Sequence, residues 1–169
     1  MLPTVHVLIA TTGVLPPAPT AALCAKLLDE EGHITVMTAI EIPRLFIDAM
    51  EDEERRSFLD DTPWDSDTAE MKALNYLEER GRKAVEPVVA ALSVHGHTCD
   101  VRFVEGSDPV EAIVGTAEDC GADIIVMGAT RRLFTETAWT SVSARVMERS
   151  QCPLLLVPGG RADEADRDS

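Results

Sequence analysis

The sequence predicts an α/β fold: a single doubly wound, Rossmann-like domain over residues 1–158, with a five-stranded parallel sheet of order 3-2-1-4-5. Two observations predict it. Short apolar runs, such as IIVMG at 124–128 and LLLV at 154–157, are typical of strands covered on both faces. Segments with helical periodicity separate these runs, and this alternation is typical of parallel strands joined by helical crossovers. Because such crossovers are right-handed, few other topologies remain.

The amino-terminal elements follow from apolar runs and their boundaries. Val5–Ala10 is predicted as the first strand and His33–Ile40 as the second. Between them we expect a helix over Pro19–Glu31, which Gly32 ends. Its inner side should carry three leucines: Leu23, Leu27 and Leu28.

Residues 41–67 break the regular alternation. Their short amphipathic pattern predicts an insertion or lid over the carboxyl edge of the sheet. A long helix follows over Thr68–Val94, in which Pro87 should produce a kink or begin a second segment. Apolar residues recur in this helix at helical spacing: Met71, Leu74, Leu77, Val85, Val88 and Leu92.

The third strand is predicted at Thr98–Val104. The helix after it has clear boundaries, since Asp108 can cap its amino end, Pro109 suits its first turn and Gly121 ends it.

After the fourth strand, Gly128 is expected to open a loop. Thr140 or Ser141 then caps a last helix, and Cys152–Val157 is the final strand. The polar residues 159–169 show no periodicity and predict a disordered acidic tail.

The carboxyl-terminal third, Ala122–Val157, resembles the universal stress protein family. Members of that family typically carry, after their fourth strand, a glycine, two residues, a second glycine, nine residues, and then glycine with serine or threonine. Here Gly128 matches the first glycine and Ser141 matches the serine. Arg131 stands in place of the second glycine and Thr140, after a one-residue deletion, in place of the third. The resemblance extends over about residues 4–158.

The resemblance implies an adenine-nucleotide pocket at two loops. In ligand-binding relatives, an aspartate after the first strand contacts the nucleoside, but this chain has Thr11, Thr12 and Gly13 in that loop. The threonines would face the ribose of ATP or AMP, or they would only cap the local backbone around a turn at Gly13.

Phosphates, with Mg²⁺, would be held on the other side by four residues: Gly128, Arg131, Ser141 and Ser143. Each also has a purely structural interpretation. Gly128 would permit a turn, Ser141 would cap a helix, and Arg131 with Arg132 would lie in a solvated loop. Trp64 and Trp139 would stack on adenine or serve as packing anchors.

Composition excludes several classes of function. The net charge of −15 disfavours nucleic acid and anionic membranes as partners. No apolar run approaches the roughly 20 residues of a membrane span, and no secretory signal precedes the first strand, so we expect a cytoplasmic protein. The four cysteines form no metal or redox motif and are expected to be buried, reduced thiols: Cys24, Cys99, Cys120 and Cys152.

Two functions of different class remain. The first is a non-catalytic stress-response protein that dimerises through the edge strand Leu154–Val157, contacts an unknown protein partner and binds adenine nucleotide weakly or not at all. The second is a true ATP- or AMP-binding protein that uses residues 128–143. An enzyme that uses residues 41–67 is a third hypothesis, although the sequence lacks a nucleophile elbow and a P-loop.

Overall fold

The strands form a single parallel sheet. The computed structural model of the chain describes residues 4–11, 15–42, 48, 51–52, 55, 66–129 and 142–158. The strand order of the sheet is β3-β2-β1-β4-β5, which confirms the predicted fold class and topology. The strands are β1 (His6–Ala10), β2 (His33–Ile40), β3 (Asp100–Glu105), β4 (Ile124–Ala129) and β5 (Leu154–Pro158).

Helices cover both faces of this sheet. They are α1 (Pro17–Leu27), α2 (Ser66–Val94), α3 (Pro109–Cys120) and α4 (Val142–Arg149). Side chains of α1 and α2 pack with Val7 and Ile9 of β1 on one face, and those of α3 and α4 pack with Leu8 and Ala10 on the other. The central strand is therefore buried on both sides, which explains its continuous apolar run.

Helix α1 ends earlier than the sequence predicts. It stops at Leu27, and Leu28 is extended at φ −102° and ψ 139°. Three acidic residues follow, and their charge is unfavourable at the negative end of a helix dipole. Asp29 instead accepts a hydrogen bond from the Glu31 N–H at 3.2 Å, which forms a local turn. Gly32 therefore does not end the helix, and the inward placement of Leu27 was wrong, because this side chain is 41% exposed.

Helix α2 is a continuous helix of 29 residues with Pro87 inside it. No second segment begins at Pro87, so that alternative was wrong. Val85, Val88 and Leu92 are buried as expected, whereas Met71 and Leu74 are exposed. This difference in burial follows from the length of the helix. Helix α2 spans about 44 Å, whereas β2, with 8 residues, spans only about 26 Å. Helix α2 is therefore longer than the strand on which it packs, and its exposed apolar residues Met71 and Leu74 lie towards its amino end.

Helix α3 has the predicted boundaries. The Asp108 carboxylate accepts a hydrogen bond from the Val110 N–H at 3.0 Å, and Pro109 lies in the first turn. Gly121 takes the left-handed conformation at φ 62°, which ends the helix without steric strain. In the described part of the chain, no helix is long and apolar enough to cross a membrane.

Candidate functional site

The carboxyl ends of β1 and β4 form the topological switch point of the sheet. The chain leaves β1 towards α1 on one face, and α4, which follows β4, packs on the other face. The two connections diverge, and in open α/β sheets ligands bind in the crevice that such divergence creates. Thr11 follows β1 directly, and Gly128 lies next to the end of β4.

Thr11 is a structural part of this crevice. It is buried, and its backbone N–H donates to the Met37 carbonyl oxygen at 3.0 Å. This bond extends the β1–β2 ladder by one residue. Ala10 pairs with Met127, so the next position on each strand places Thr11 beside Gly128, at an inter-strand spacing of about 4.8 Å.

Gly128 does not open a loop, contrary to the sequence prediction. It lies within β4 and pairs with Val157 of β5, so the strand continues through Ala129. A side chain at this position would meet Leu15, whose Cα and Cδ1 lie 3.5 and 3.6 Å from an ideal Cβ. Leu15 is only 4% exposed. Leu15 therefore packs beside Gly128 on the α1 face of the sheet, with room for a methyl group but not for a larger side chain.

The other predicted site residues are only partly placed. Ser143 is the second residue of α4 and is half-buried. The remaining candidates lie outside the described residues: Thr12, Gly13, Arg131, Thr140 and Ser141, together with Arg132, Trp64 and Trp139. The structure thus brings Thr11 and Gly128 together and adds Leu15, which the sequence analysis did not select.

A cluster of charged side chains joins α3 to α4. Arg145 of α4 donates to the Asp108 carboxylate at 3.0 Å, and Arg149 lies 3.6 Å from the same oxygen. The hydrogen bond from Val110 and the two guanidinium groups lower the pKa of Asp108 below its usual value. The sequence predicted the cap but not the two arginines, although their i, i+4 spacing places both on one side of α4.

The thiols and imidazoles of the described residues do not form a metal centre. No group of three or more His, Cys, Asp or Glu residues in this part of the chain could hold a metal ion. His6 and His33 lie close, with ring centroids 6.0 Å apart, and His6 Nε2 is hydrogen-bonded to Thr35 Oγ1 at 2.8 Å.

The four cysteines are free thiols, of which only Cys24 is fully buried, contrary to the expectation that all would be. Burial raises the pKa of Cys24 to about 11, and burial also raises the pKa of Cys99 and Cys152. Since the thiolate is the reactive form, these three groups are poor nucleophiles at neutral pH.

The parallel sheet of order 3-2-1-4-5, with helices on both faces, defines a doubly wound, Rossmann-like α/β protein. The model of the universal stress protein family matches residues 6–158. The chain therefore belongs to the universal stress protein family, as the motif around Gly128 predicted.

Solved structures show the same fold. A universal stress protein in complex with cAMP has a TM-score of 0.55 and 21% identity, covering 93% of this chain and 98% of that one. A universal stress protein family protein from Arabidopsis thaliana with AMP bound has a TM-score of 0.57 and 15% identity over 98% and 97% of the two chains. A universal stress protein from Archaeoglobus fulgidus has a TM-score of 0.51 and 17% identity, covering 91% and 98%. No curated protein matches the chain.

Proposed function

We propose that this chain is a non-catalytic, cytoplasmic universal stress protein that acts as a homodimer through contacts with a protein partner. In this proposal it binds adenine nucleotide weakly or not at all. One observation carries the statement on nucleotide binding: Leu15 packs directly over Gly128 at the switch point. A phosphate approaching this glycine from the α1 face would have to displace a buried leucine.

The residues beside Gly128 support the same proposal. Thr11 stands at the end of β1, where the family resemblance implies a neighbouring aspartate in ligand-binding members. The next three residues in the sequence are Thr-Gly-Val, so no carboxylate follows Thr11. A hydroxyl offers a weaker acceptor than a carboxylate to ribose hydroxyls, because hydrogen bonds to charged groups are about twice as strong. The backbone N–H of Thr11 is also already bonded to Met37.

The alternative function is true binding of ATP or AMP, with Mg²⁺, by residues 128–143. The position of Ser143 in the first turn of α4 favours it, because helix amino termini are common phosphate-binding positions. Two similar structures are named as complexes with cAMP and AMP. In this alternative, Arg131 and Ser141 would complete the phosphate contacts, and Thr11 and Thr12 would face the ribose.

The ligand content of the purified protein separates the two functions. The protein is isolated without added nucleotide, denatured, and the released small molecules are separated by chromatography and identified by mass spectrometry. We expect adenine nucleotide far below one molecule per chain, because Leu15 packs beside Gly128 on the α1 face and the chain has no aspartate after β1. Release of AMP, ATP or cAMP at one molecule per chain would contradict the proposal and establish the alternative.

A further inference from the structure

Strand β3 leaves one edge of the sheet without a partner in the described part of the chain. It pairs with β2 alone. The Gly106 N–H donates to the Ile40 carbonyl oxygen at 3.1 Å, so the even-numbered residues direct their backbone groups to β2. The backbone groups of Val101, Phe103 and Glu105 therefore point to the free edge. Val101 is also exposed, so this edge is accessible.

An open groove runs beside this edge on the α3 face of the sheet. It has a volume of about 420 Å³. Arg102 and Val104 of β3 form its floor, and Ala112 and Gly115 of α3 form its wall. A methyl group added at Gly115 would meet no atom within 4 Å, so the wall is recessed and leaves space for another side chain.

Carboxylates line this groove. Glu105, Glu111 and Asp119 are exposed, and none forms an ion pair with another described residue. Asp108 at one end is already bonded to Arg145. Arg102 is the one cation among the lining residues that the structure describes, so the groove is negative overall.

We propose that an extended cationic segment of a partner protein adds as a sixth strand to the free edge of β3. The backbone of Val101, Phe103 and Glu105 would supply main-chain hydrogen bonds, which is how strand addition gains affinity. Alternate side chains of the added strand point to opposite faces. Those on the α3 face would be lysine or arginine and would reach Glu111 and Asp119, and those on the other face would be apolar and contact Val101.

The negative charge of this edge favours a cationic partner strand over a second copy of the chain. Two copies meeting at this edge would bring the exposed carboxylates of Glu105, Glu111 and Asp119 close to each other, whereas a cationic strand is attracted to them. The edge strand itself carries Asp100 and Glu105, and charged residues on an edge protect it from pairing with its own kind. The inference rests on the proposed function only in that the protein acts through protein contacts; it needs neither nucleotide nor the β5 edge.

Binding of short labelled peptides tests the proposal. A peptide of alternating lysine and valine is titrated with the full chain at physiological salt, and fluorescence anisotropy reports binding. A control peptide in which all lysines precede all valines has the same charge, but as a strand it cannot place its lysines on one face and its valines on the other. We expect the alternating peptide to bind at least about tenfold more tightly than the control peptide. Equal affinities, or no binding, would overturn the proposal and leave non-specific attraction at most.

Two variants with matched controls locate the site. Val101→Pro removes an outward N–H and leaves the β2–β3 bonds intact, because proline is tolerated at the solvent side of an edge strand. Asp119→Lys reverses a charge in the groove, and Glu118→Lys makes the same change at its neighbour on α3, which does not line the groove. We expect Val101→Pro and Asp119→Lys to weaken binding about tenfold, and Glu118→Lys to weaken it less than about twofold.

Circular dichroism measures the folded fraction of each variant. If Val101→Pro reduces this fraction, the comparison of Asp119→Lys with Glu118→Lys tests the proposal instead. Equal effects of Asp119→Lys and Glu118→Lys would overturn the assignment to this groove. A dimer that Val101→Pro dissociates in sedimentation would show that a second copy occupies the edge, and would overturn it as well. Neither result bears on nucleotide content, so this proposal and the proposed function fail separately.

Discussion

At the scale of single residues, the contact between Gly128 and Leu15 has the clearest consequence. An ideal Cβ at Gly128 would lie 3.5 Å from Leu15 Cα, which is an ordinary van der Waals contact. We expect Gly128→Ala to leave the free energy of unfolding nearly unchanged. Gly128→Val places further methyl groups against Leu15 and should cost about 1–3 kcal/mol through overpacking. Urea denaturation measures both variants, and equal stabilities would show that Leu15 does not fill this space.

Asp108 gives a pH-dependent prediction at the same scale. Its pKa is lowered from 3.8 by the Val110 N–H, with Arg145 and Arg149 acting in the same direction. A carboxylate with a lowered folded pKa stabilises the protein above its unfolded pKa, and this contribution is lost as pH falls through the folded value. Asp108→Asn keeps a side chain that caps helices well but removes the charge.

The melting temperature of Asp108→Asn should therefore lie below that of the wild type at pH 7. The two melting temperatures should converge as the pH falls below the ordinary carboxyl value of 3.8 and through the lowered pKa of folded Asp108, because the wild-type carboxylate is then protonated. A difference that stays constant from neutral to acidic pH would show that the ion pairs with Arg145 and Arg149 contribute nothing.

Helices α2 and α3 offer a matched comparison at the scale of elements. Each contains a glycine, but Gly81 of α2 packs against the ring of Phe103, whereas Gly115 of α3 faces open space. An alanine Cβ at Gly81 would come within 2.3 Å of that ring, so the ring or the helix must move. Gly115→Ala should stabilise the protein by about 0.5–1 kcal/mol through helix propensity.

Gly81→Ala should destabilise the protein, because overpacking at about 1–3 kcal/mol exceeds the same gain in propensity. Chemical denaturation compares the two alanine variants, and the double variant Gly81→Ala/Phe103→Leu should recover part of the loss. If Gly81→Ala raises stability as much as Gly115→Ala, the close packing of α2 on β3 is contradicted.

Most helices and strands could be predicted from the sequence, but some of their ends could not. Apolar runs predicted the strands, because burial on both faces of a parallel sheet leaves a direct pattern in the sequence. The alternation of strands with helices and the right-handed crossover rule predicted the strand order. Capping predicted both ends of α3, since Asp108 and Gly121 act through local geometry. The end of α1 and the exposed start of α2 were not predicted, because they depend on a local turn at Asp29 and on the length of the sheet.

The candidate site was less predictable than the fold. Leu15 was missed because a leucine between β1 and α1 belongs to no motif, and its role depends on a contact with Gly128, which is distant in sequence. Gly128 was expected to open a loop because it ends the apolar run 124–128, whereas the strand continues through Ala129. The partners of Asp108 lie 37 residues or more along the chain, and only packing of α3 on α4 brings them together.

At the scale of the whole molecule, the second edge of the sheet supports the proposed dimer. Strand β5 pairs only with β4 among the described strands, and Leu156 is 40% exposed on it. Leu27 of α1 has nearly the same exposure, 41%, on a different surface. Sedimentation velocity at physiological salt should show a wild-type dimer that Leu156→Lys dissociates and Leu27→Lys leaves intact. A monomeric wild type, or equal effects of the two variants, would contradict dimerisation through β5.

The central claim is that this universal stress protein has little or no affinity for adenine nucleotide, and calorimetric titration tests it most directly. Mg²⁺-ATP and AMP are titrated separately into the wild-type protein up to about 300 µM, a range that detects dissociation constants in the micromolar range. The packing of Leu15 on Gly128 predicts no saturable heat for either nucleotide. A saturating curve with a Kd of about 10 µM or below, weakened about tenfold by Arg131→Ala, would contradict the claim and establish nucleotide binding by residues 128–143.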